Sequence, residues 1–358
     1  MKINIYLLVF GIIAAIVIVA AASTLFFTQA PQTVMTSNLP NYGPAPNVQG
    51  IAYWINSPPL NISQLKGKVV LIDFWTYSCI NCIRTTPYLN AWQAKYGNNG
   101  LVIIGVSTPE FQFEHNYTNV QSAVTRFGIK YPVAMDNNYS TWFAYNNQYW
   151  PADYIIDASG NVRYVHFGEG DYANTENVIQ TLLQQAGYSV NATDVNITEA
   201  VNFSGIQTPE LYFGYQTSIE HRTPIGDKQG YATNETINYT TQNVTVNNTA
   251  YLEGGWYNAP DGMISVNGSR ILLNYNAKNV NIVAGPSGLN STPITVKVDG
   301  QNLTAANAGS DISLQNGTGT ATINSDRLYN IVAGQSYGHH MLEIDAAPGM
   351  KIYTFTFG

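Results

Sequence analysis

Seven residues, Val69-Val-Leu-Ile-Asp-Phe-Trp75, run almost wholly apolar and stop just short of the chain's only two cysteines, Cys79 and Cys82. A continuous apolar run of this length reads as a strand buried on both faces, so its sheet needs a layer on either side. The residues from Ile83 onward read as a helix. Leu101-Val-Ile-Ile-Gly-Val-Ser107 is a second such strand, and Tyr154-Ile155-Ile156 is the centre of a third. Asp157-Ala-Ser-Gly160-Asn161 is a turn into Val162–Val165, which predicts a hairpin. Over Asn174–Ala186, Val178, Ile179, Leu182, Leu183 and Ala186 share one helical face, and Gly187 follows as a stop signal. Strands alternating with helices predict an α/β layer structure that ends in an antiparallel hairpin.

Two cysteines three apart at a strand-to-helix turn suit thiol–disulfide exchange. Exposed backbone N–H groups at the helix start favour a thiolate on Cys79, and Cys82 lies nearly one turn inside to resolve a mixed disulfide. Asp73, six residues before Cys79, would have its pKa raised by burial and could accept the Cys82 proton. Its bland alternative is a strand-end carboxylate hydrogen-bonded to backbone. The alternative for the pair is a structural staple, yet so short a loop would stabilise by only ~2 kcal/mol. Zinc needs four ligands, and the five histidines offer no matching spacing. No metal and no cofactor is expected.

The ends and composition point outside the cytoplasm. Ile5–Phe27 is almost wholly apolar, and Lys2 is the only charge before Lys66. At ~1.5 Å per residue this stretch covers the ~30 Å hydrocarbon layer, so residues 1–28 are expected to be a single-pass membrane anchor. Lys2 on the inside puts both later domains in an extracytoplasmic position. A cleaved signal peptide with Ala20-Ala21-Ala22 at its cleavage site is the competing reading, and it exports the chain as well. Only 10% of the 358 residues are charged, and Asn, Thr, Gln and Tyr fill the surface instead. The formal net charge of −7 offers no basic field, so no nucleic-acid partner is expected. Asn-x-Ser/Thr sequons recur from Asn61 to Asn316 and crowd between Asn191 and Asn247, as in a glycoprotein.

Composition divides the rest. Residues 29–47, rich in Pro, Gln, Thr and Asn, read as a linker, and residues 48–188 form the α/β domain. Residues 189–207 are polar and sequon-bearing, a second linker. Beyond Thr208 helical periodicity vanishes, and short β-prone runs follow at Ile271–Tyr275, Val280–Ala284, Ile294–Val298, Tyr329–Val332 and Ile352–Phe357. Asp299-Gly300 is a two-residue hairpin signal. Residues 208–358 are therefore expected to be an all-β jelly-roll sandwich.

Val69–Pro87 resembles the active-site segment of the thioredoxin superfamily: strand, Asp73-Phe74-Trp75, Cys-x-x-Cys, then a helix with Pro87 five residues after Cys82. Trp150-Pro151 matches that family's cis-proline position, which implies a substrate groove bordered by Pro151, Trp150 and Trp75. The likeness extends to the extracytoplasmic part of DipZ-type proteins and to TlpA-like thioredoxins. It is carried by Phe74–Leu89, Ser107–Phe111, Tyr149–Asp157, His166–Tyr172, Thr208–Gly214 and Phe355–Gly358, in order across both domains. It implies a thioredoxin-like domain followed by a sandwich resembling carbohydrate-binding modules, with Glu110 near the site. DipZ-type proteins carry a multi-span electron-transferring domain at their N-terminus, whereas this sequence has one span at most. A reductase of this build would draw electrons from a separate membrane donor, an oxidant would pass them to a membrane acceptor, and the partners would be exported Cys-containing proteins. Ile80-Asn81 stands where thioredoxin has Gly-Pro, so the redox poise does not carry over.

Two other function classes compete. Thr76-x-x-Cys79 matches half of a peroxiredoxin signature, but Ile72 stands where that signature has proline. Tyr212, Tyr215, Trp256 and Tyr257 could form an aromatic platform for glycans, or could simply be sandwich core. Copper delivery is disfavoured by the cysteine spacing and the lack of a histidine partner. The expected function is an exported, membrane-anchored thiol–disulfide oxidoreductase in which Cys79 attacks, Cys82 resolves and Asp73 moves the proton.

Overall fold

The computed structural model describes residues 39–191, 193–197, 203–241, 244–288 and 291–358. The expected anchor or signal peptide in residues 1–28 lies outside them, as do the sequon asparagines Asn202, Asn243 and Asn290. Among the described residues no helix is long and apolar enough to cross a membrane.

The first sheet has six strands: β1 (Tyr53–Ile55), β2 (Val69–Trp75), β3 (Leu101–Ser107), β4 (Val133–Met135), β5 (Ala152–Ile156) and β6 (Val162–Phe167). Their order is β1-β4-β3-β2-β5-β6. β2, β3 and β4 run parallel, while β5 and β6 form the antiparallel hairpin the turn residues predict. Every residue of β2 is buried, as its unbroken apolar run requires. Val70, Ile72 and Phe74 face one core with Trp142 and Tyr154. Val69, Leu71, Asp73 and Trp75 face the opposite side, because successive strand residues alternate. Helices α1 (Ile80–Tyr96) and α4 (Tyr172–Gln185) pack there, and their Tyr88 and Tyr172 rings stack 3.6 Å apart. Two shorter helices, α2 (Tyr117–Arg126) and α3 (Ser140–Ala144), lie between them in sequence.

The described parts of both linkers, within 39–47 and 189–207, are hydrogen-bonded to the folded elements beside them. Pro40–Asn47 was expected to be spacer, but Tyr42, Gly43 and Ala45 bond to the backbone of Gly160 and Val162 at distances of 2.9 Å. This stretch lies along β6 and covers an edge that would otherwise expose unpaired backbone groups. In the second linker, the Val195 N–H donates to Glu176 Oε2 at 2.8 Å, and Lys95 reaches the Thr193 carbonyl. That polar stretch is held against α1 and α4.

The second region is a large antiparallel all-β one. Its strands are β7 (Leu211–Tyr212), β8 (Thr236–Tyr239), β9 (Ala250–Ala259), β10 (Gly262–Pro286), β11 (Thr292–Val298), β12 (Gln301–Asn302), β13 (Ser313–Gln315), β14 (Thr318–Ile323), β15 (Arg327–Ala346) and β16 (Met350–Phe357). The order along the main path is β13-β14-β11-β15-β10-β16-β7. The short runs at Ile271–Tyr275 and Val280–Ala284 are segments of one 25-residue strand, β10. A register shift between Ala277 and Asn279 separates them, and a second, between Val280 and Asn281, skips Ile331 on β15. Each bulge adds an unpaired residue that bends the strand without ending it, which composition alone does not distinguish from a turn. The Asp299-Gly300 hairpin forms as expected, with φ of 54° and 70° at its two turn residues.

A hydrophobic cluster fills the interior of this region, with Trp256, Leu273, Ile282 and Phe355 all 0% exposed. Trp256 is core rather than sugar platform, and its Nε1 donates to the Glu253 carbonyl at 2.9 Å. Trp256→Ala is expected to cost about 3–5 kcal/mol in denaturant unfolding, as for other large-to-small core changes.

Candidate active site

Cys79 is the N-cap of α1. Its φ/ψ of −75°/118° is extended, and its Sγ accepts the Cys82 backbone N–H at 3.3 Å. Both thiols are free. The Cys82 thiol also donates to the Cys79 sulfur, which favours the thiolate on Cys79 and disfavours it on Cys82. A helix start favours a thiolate on Cys79, but burial dominates here and pushes its pKa up. Carboxylates of Glu210 and Glu110 add to that rise, and the bonds from Cys82 oppose it. Cys82 is driven up further, by burial first, then by its bond to Cys79, the charge on Cys79 and the charge on Asp73. The two thiols are therefore unequal, as an attacking and resolving pair requires.

Asp73 lies on the α1-facing side of β2 and is 1% exposed. Burial, then the facing Asp153 carboxyl, raises its pKa well above the carboxylate range. Asp73 Oδ1 has no hydrogen-bond partner, so the bland reading of a backbone-tethered carboxylate does not describe that oxygen. Asp153 is paired directly opposite Asp73 across β2 and β5, and burial pushes it up to about 7. Sequence reasoning missed Asp153, because its place beside Asp73 depends on strand register.

The mouth of the site is built from both regions. A cavity of about 210 Å³ is lined by Cys79, Glu110, Trp150, Glu210, Tyr212 and His221, among others. The Tyr212 hydroxyl lies 2.6 Å from Glu110 Oε1 and 2.9 Å from Glu210 Oε2. One phenolic proton cannot serve two buried carboxylates at once. Burial, then Glu210 and Glu114, accordingly pushes Glu110 up to about 8. Tyr212 stacks on His221 at 3.6 Å, a core-like setting rather than an open sugar platform. Behind the site, Glu114 Oε1 accepts from Ser78 Oγ at 2.5 Å and Oε2 accepts the Glu110 and Phe111 N–H groups. That carboxylate ties the loop before Cys79 to the loop after β3. Glu110 was expected near the site and is there. Glu210, Tyr212 and His221 come from the other region, and no spacing rule would have found them.

The remaining expected residues separate. Trp150-Pro151 is a cis peptide, and Trp150 lines the cavity. The Trp150 ring packs 4.3 Å from Trp142 and not against Trp75. Trp75 was expected on the groove but is only 2% exposed. A Cβ added at Gly105 would come within 2.9 Å of its Nε1, so the indole lies over the β3 backbone. Adjacent to the site, Arg84 holds Glu169 through both carboxylate oxygens at 2.8 and 3.1 Å from Nε. Among the described residues no group of His, Cys, Asp or Glu could hold a metal ion.

Residues 44–183 match the Redoxin family, and residues 208–358 match the Thioredoxin like C-terminal domain family. The chain is 37% identical over 328 residues to Protein DipZ of Mycobacterium tuberculosis, covering 90% of this chain and 44% of that protein. It thus spans less than half the length of DipZ. Thiol-disulfide oxidoreductase YkuV of Bacillus subtilis is 25% identical over 142 residues, covering 40% of this chain and 95% of YkuV. Thiol-disulfide oxidoreductase ResA of Bacillus thuringiensis is 31% identical over 103 residues, covering 29% of this chain and 57% of ResA. A crystallised thioredoxin-like superfamily protein, SPOA0173, aligns at a TM-score of 0.37 and 27% identity, covering 39% of this chain and 96% of its own.

Proposed function

We propose that the chain, which matches the Redoxin and Thioredoxin like C-terminal domain families in turn and is 37% identical to part of DipZ, is a thiol–disulfide oxidoreductase acting on protein substrates. The observation that carries this reading is the inequality of the two thiols. Cys79 caps a helix at the mouth of a cavity and receives hydrogen bonds from Cys82, while Cys82 sits beneath it within the field of Asp73. In the forward direction the Cys79 thiolate attacks one sulfur of a substrate disulfide, whose other sulfur leaves as a thiolate. Cys82 then gives its proton to Asp73 and attacks the Cys79 sulfur. The second substrate sulfur leaves as a thiolate, and the Cys79–Cys82 disulfide holds the two electrons' worth of oxidation. Trp150 and Pro151 border the groove in this reading.

The apolar stretch Ile5–Phe27 supports membrane anchoring with both folded regions outside the cytoplasm. Exported Cys-containing proteins are then the substrates, and a separate membrane protein gives or takes the electrons. Asn116, Asn138, Asn234, Asn247, Asn267 and Asn316 are all exposed, which suits a glycoprotein. We read the second region as a jelly-roll sandwich, since β10 and β15 bend at bulges around one enclosed cluster.

The test is a redox titration of the full chain, trapping free thiols by alkylation in graded thiol buffers. A reversible couple between roughly −270 and −120 mV is expected, the span of known exchange proteins. A pair that stays oxidised below roughly −300 mV would mark a staple and overturn the reading.

A further inference from the structure

Asp73 is almost fully withdrawn from solvent. It is 1% exposed, and the groups facing it are Cys82 from α1, Tyr131 from the segment before β4, Gly105 from β3 and Asp153 from β5. A proton taken from Cys82 would stay on Asp73 and block the next turnover unless another polar group carried it off. The strand register supplies such a group, and then a second. Asp73 pairs with Asp153 across β2 and β5, and Asp153 pairs with His166 across β5 and β6. Residues directly opposite on neighbouring strands share a face, with Cβ atoms about 4.5–5.5 Å apart. The three side chains therefore form a row running from the centre of the sheet to β6, its last strand in the pairing order.

Their hydrogen-bonding state fits conduction better than packing. Asp73 Oδ1, Asp153 Oδ1, His166 Nε2 and the Tyr131 hydroxyl are all buried atoms with no protein partner. Buried polar atoms of native proteins are nearly always satisfied, so four unpaired ones around a single row call for a functional explanation. Asp153 is 4% exposed, whereas His166 is only partly buried. The His166 ring lies parallel to Tyr164 with centroids 6.4 Å apart. The Tyr164 hydroxyl donates to Asp171 at 3.0 Å, so the outer end of the row meets polar groups at the start of α4. An imidazole can accept a proton on one nitrogen while releasing one from the other.

We propose that Asp153 and His166 extend Asp73 into a proton relay that carries the proton leaving Cys82 across β5 and β6 to the sheet edge. This rests on the oxidoreductase reading and adds two residues that act through Asp73 rather than on sulfur. In reduction, Cys82 S–H gives its proton to the Asp73 carboxylate as the Cys82 sulfur attacks Cys79. Asp73 passes that proton to Asp153, Asp153 passes it to His166, and His166 releases it to solvent. The electron balance is that of the exchange alone: the dithiol loses two electrons and the substrate disulfide gains them. In the oxidising direction the row runs backwards and delivers the proton.

The experiment uses the reduced full chain and a chromophoric aromatic disulfide, followed by stopped flow from pH 5 to pH 9. Attack by Cys79 releases one aryl thiolate, and closure by Cys82 releases the second in a separate phase. In His166→Gln and Asp153→Asn the first phase is expected to be unchanged. The second is expected to slow at least about tenfold at pH 7, below the ~10²–10⁴-fold typical of a direct proton acceptor. Added imidazole is expected to restore that phase in His166→Ala. An unchanged second phase in both variants, or a slow one in His166→Ala that imidazole leaves slow, would overturn the relay. His166 is on an edge strand and only partly buried, so its variants carry the test even if Asp153→Asn fails to fold. A wild-type chain that releases no second aryl thiolate would instead sink the exchange reading itself.

Discussion

Cys79→Ser is expected to abolish disulfide exchange, by on the order of 10³-fold or more, as the loss of a nucleophile does elsewhere. Cys82→Ser should behave differently and accumulate a covalent adduct between Cys79 and the substrate. The asymmetry follows from the site. The Cys79 sulfur lines the cavity and accepts the Cys82 N–H, whereas Cys82 is 2% exposed and is not among the residues lining the cavity. In the proposed exchange Cys79 therefore meets the incoming disulfide and Cys82 releases the adduct. Asp73→Asn should preserve the first attack and slow the release by about 10²–10⁴-fold, because the carboxamide cannot accept a proton. Mass spectrometry of the full chain after mixing with a peptide disulfide reads all three. Equal exchange in wild type and both serine variants would reduce the pair to a bystander.

The fold should be more stable in mild acid than at alkaline pH. Asp73, Asp153, Glu110 and Glu210 are all raised in the folded protein, in each case chiefly by burial. In the unfolded chain they revert to roughly 3.9 for Asp and 4.3 for Glu. Between those values and the folded ones, about 7 for Asp153 and about 8 for Glu110, the folded state holds more protons than the unfolded state. Stability must therefore fall as pH rises through that window. The contribution is complete below about pH 4 and lost as pH climbs past 7 to 8. Glu176 and Asp299 are shifted downward, and their stabilisation is lost only as pH falls below the ordinary carboxylate range. A melting temperature about 5–10 °C higher at pH 5 than at pH 8 is expected. Glu110→Gln should flatten that slope, since the amide keeps a polar group beside Tyr212 without a charge to bury. A melting temperature that rises from pH 5 to pH 8 would contradict the upward shift of these carboxyls on burial.

How much of this was legible depends on whether a feature is local or relational. The strand ending at Trp75, the helix holding Cys82, the α4 stop at Gly187 and the Asp299-Gly300 hairpin are all set by neighbours within a few residues. Local pattern found each of them. Asp153 reads from sequence as one polar residue in an apolar run, and only antiparallel register brings it beside Asp73. Glu210, Tyr212 and His221 sit more than a hundred residues from Cys79 and reach it through tertiary packing alone. The β10 and β15 strands look like several short strands because a bulge and a turn share the same residue preferences. Trp75 was misplaced for a simpler reason: its alternation was known, but not that Gly105 leaves a slot for its indole.

The Tyr212 hydroxyl, wedged between Glu110 of one region and Glu210 of the other, has a consequence for modularity. Phe111 and Phe113 of the α/β region pack on Tyr353 of the β region, so the seam is aromatic as well as acidic. Cutting the chain near residue 207 would hydrate Glu110, uncover those rings and remove Glu210 from the neighbourhood of Cys79. What remained would keep the same dithiol but set in a different electrostatic medium, with a more acidic thiol and a wider mouth. The β region is in that sense a solvent for the cysteine, and the two regions are one reagent that happens to be written as two domains.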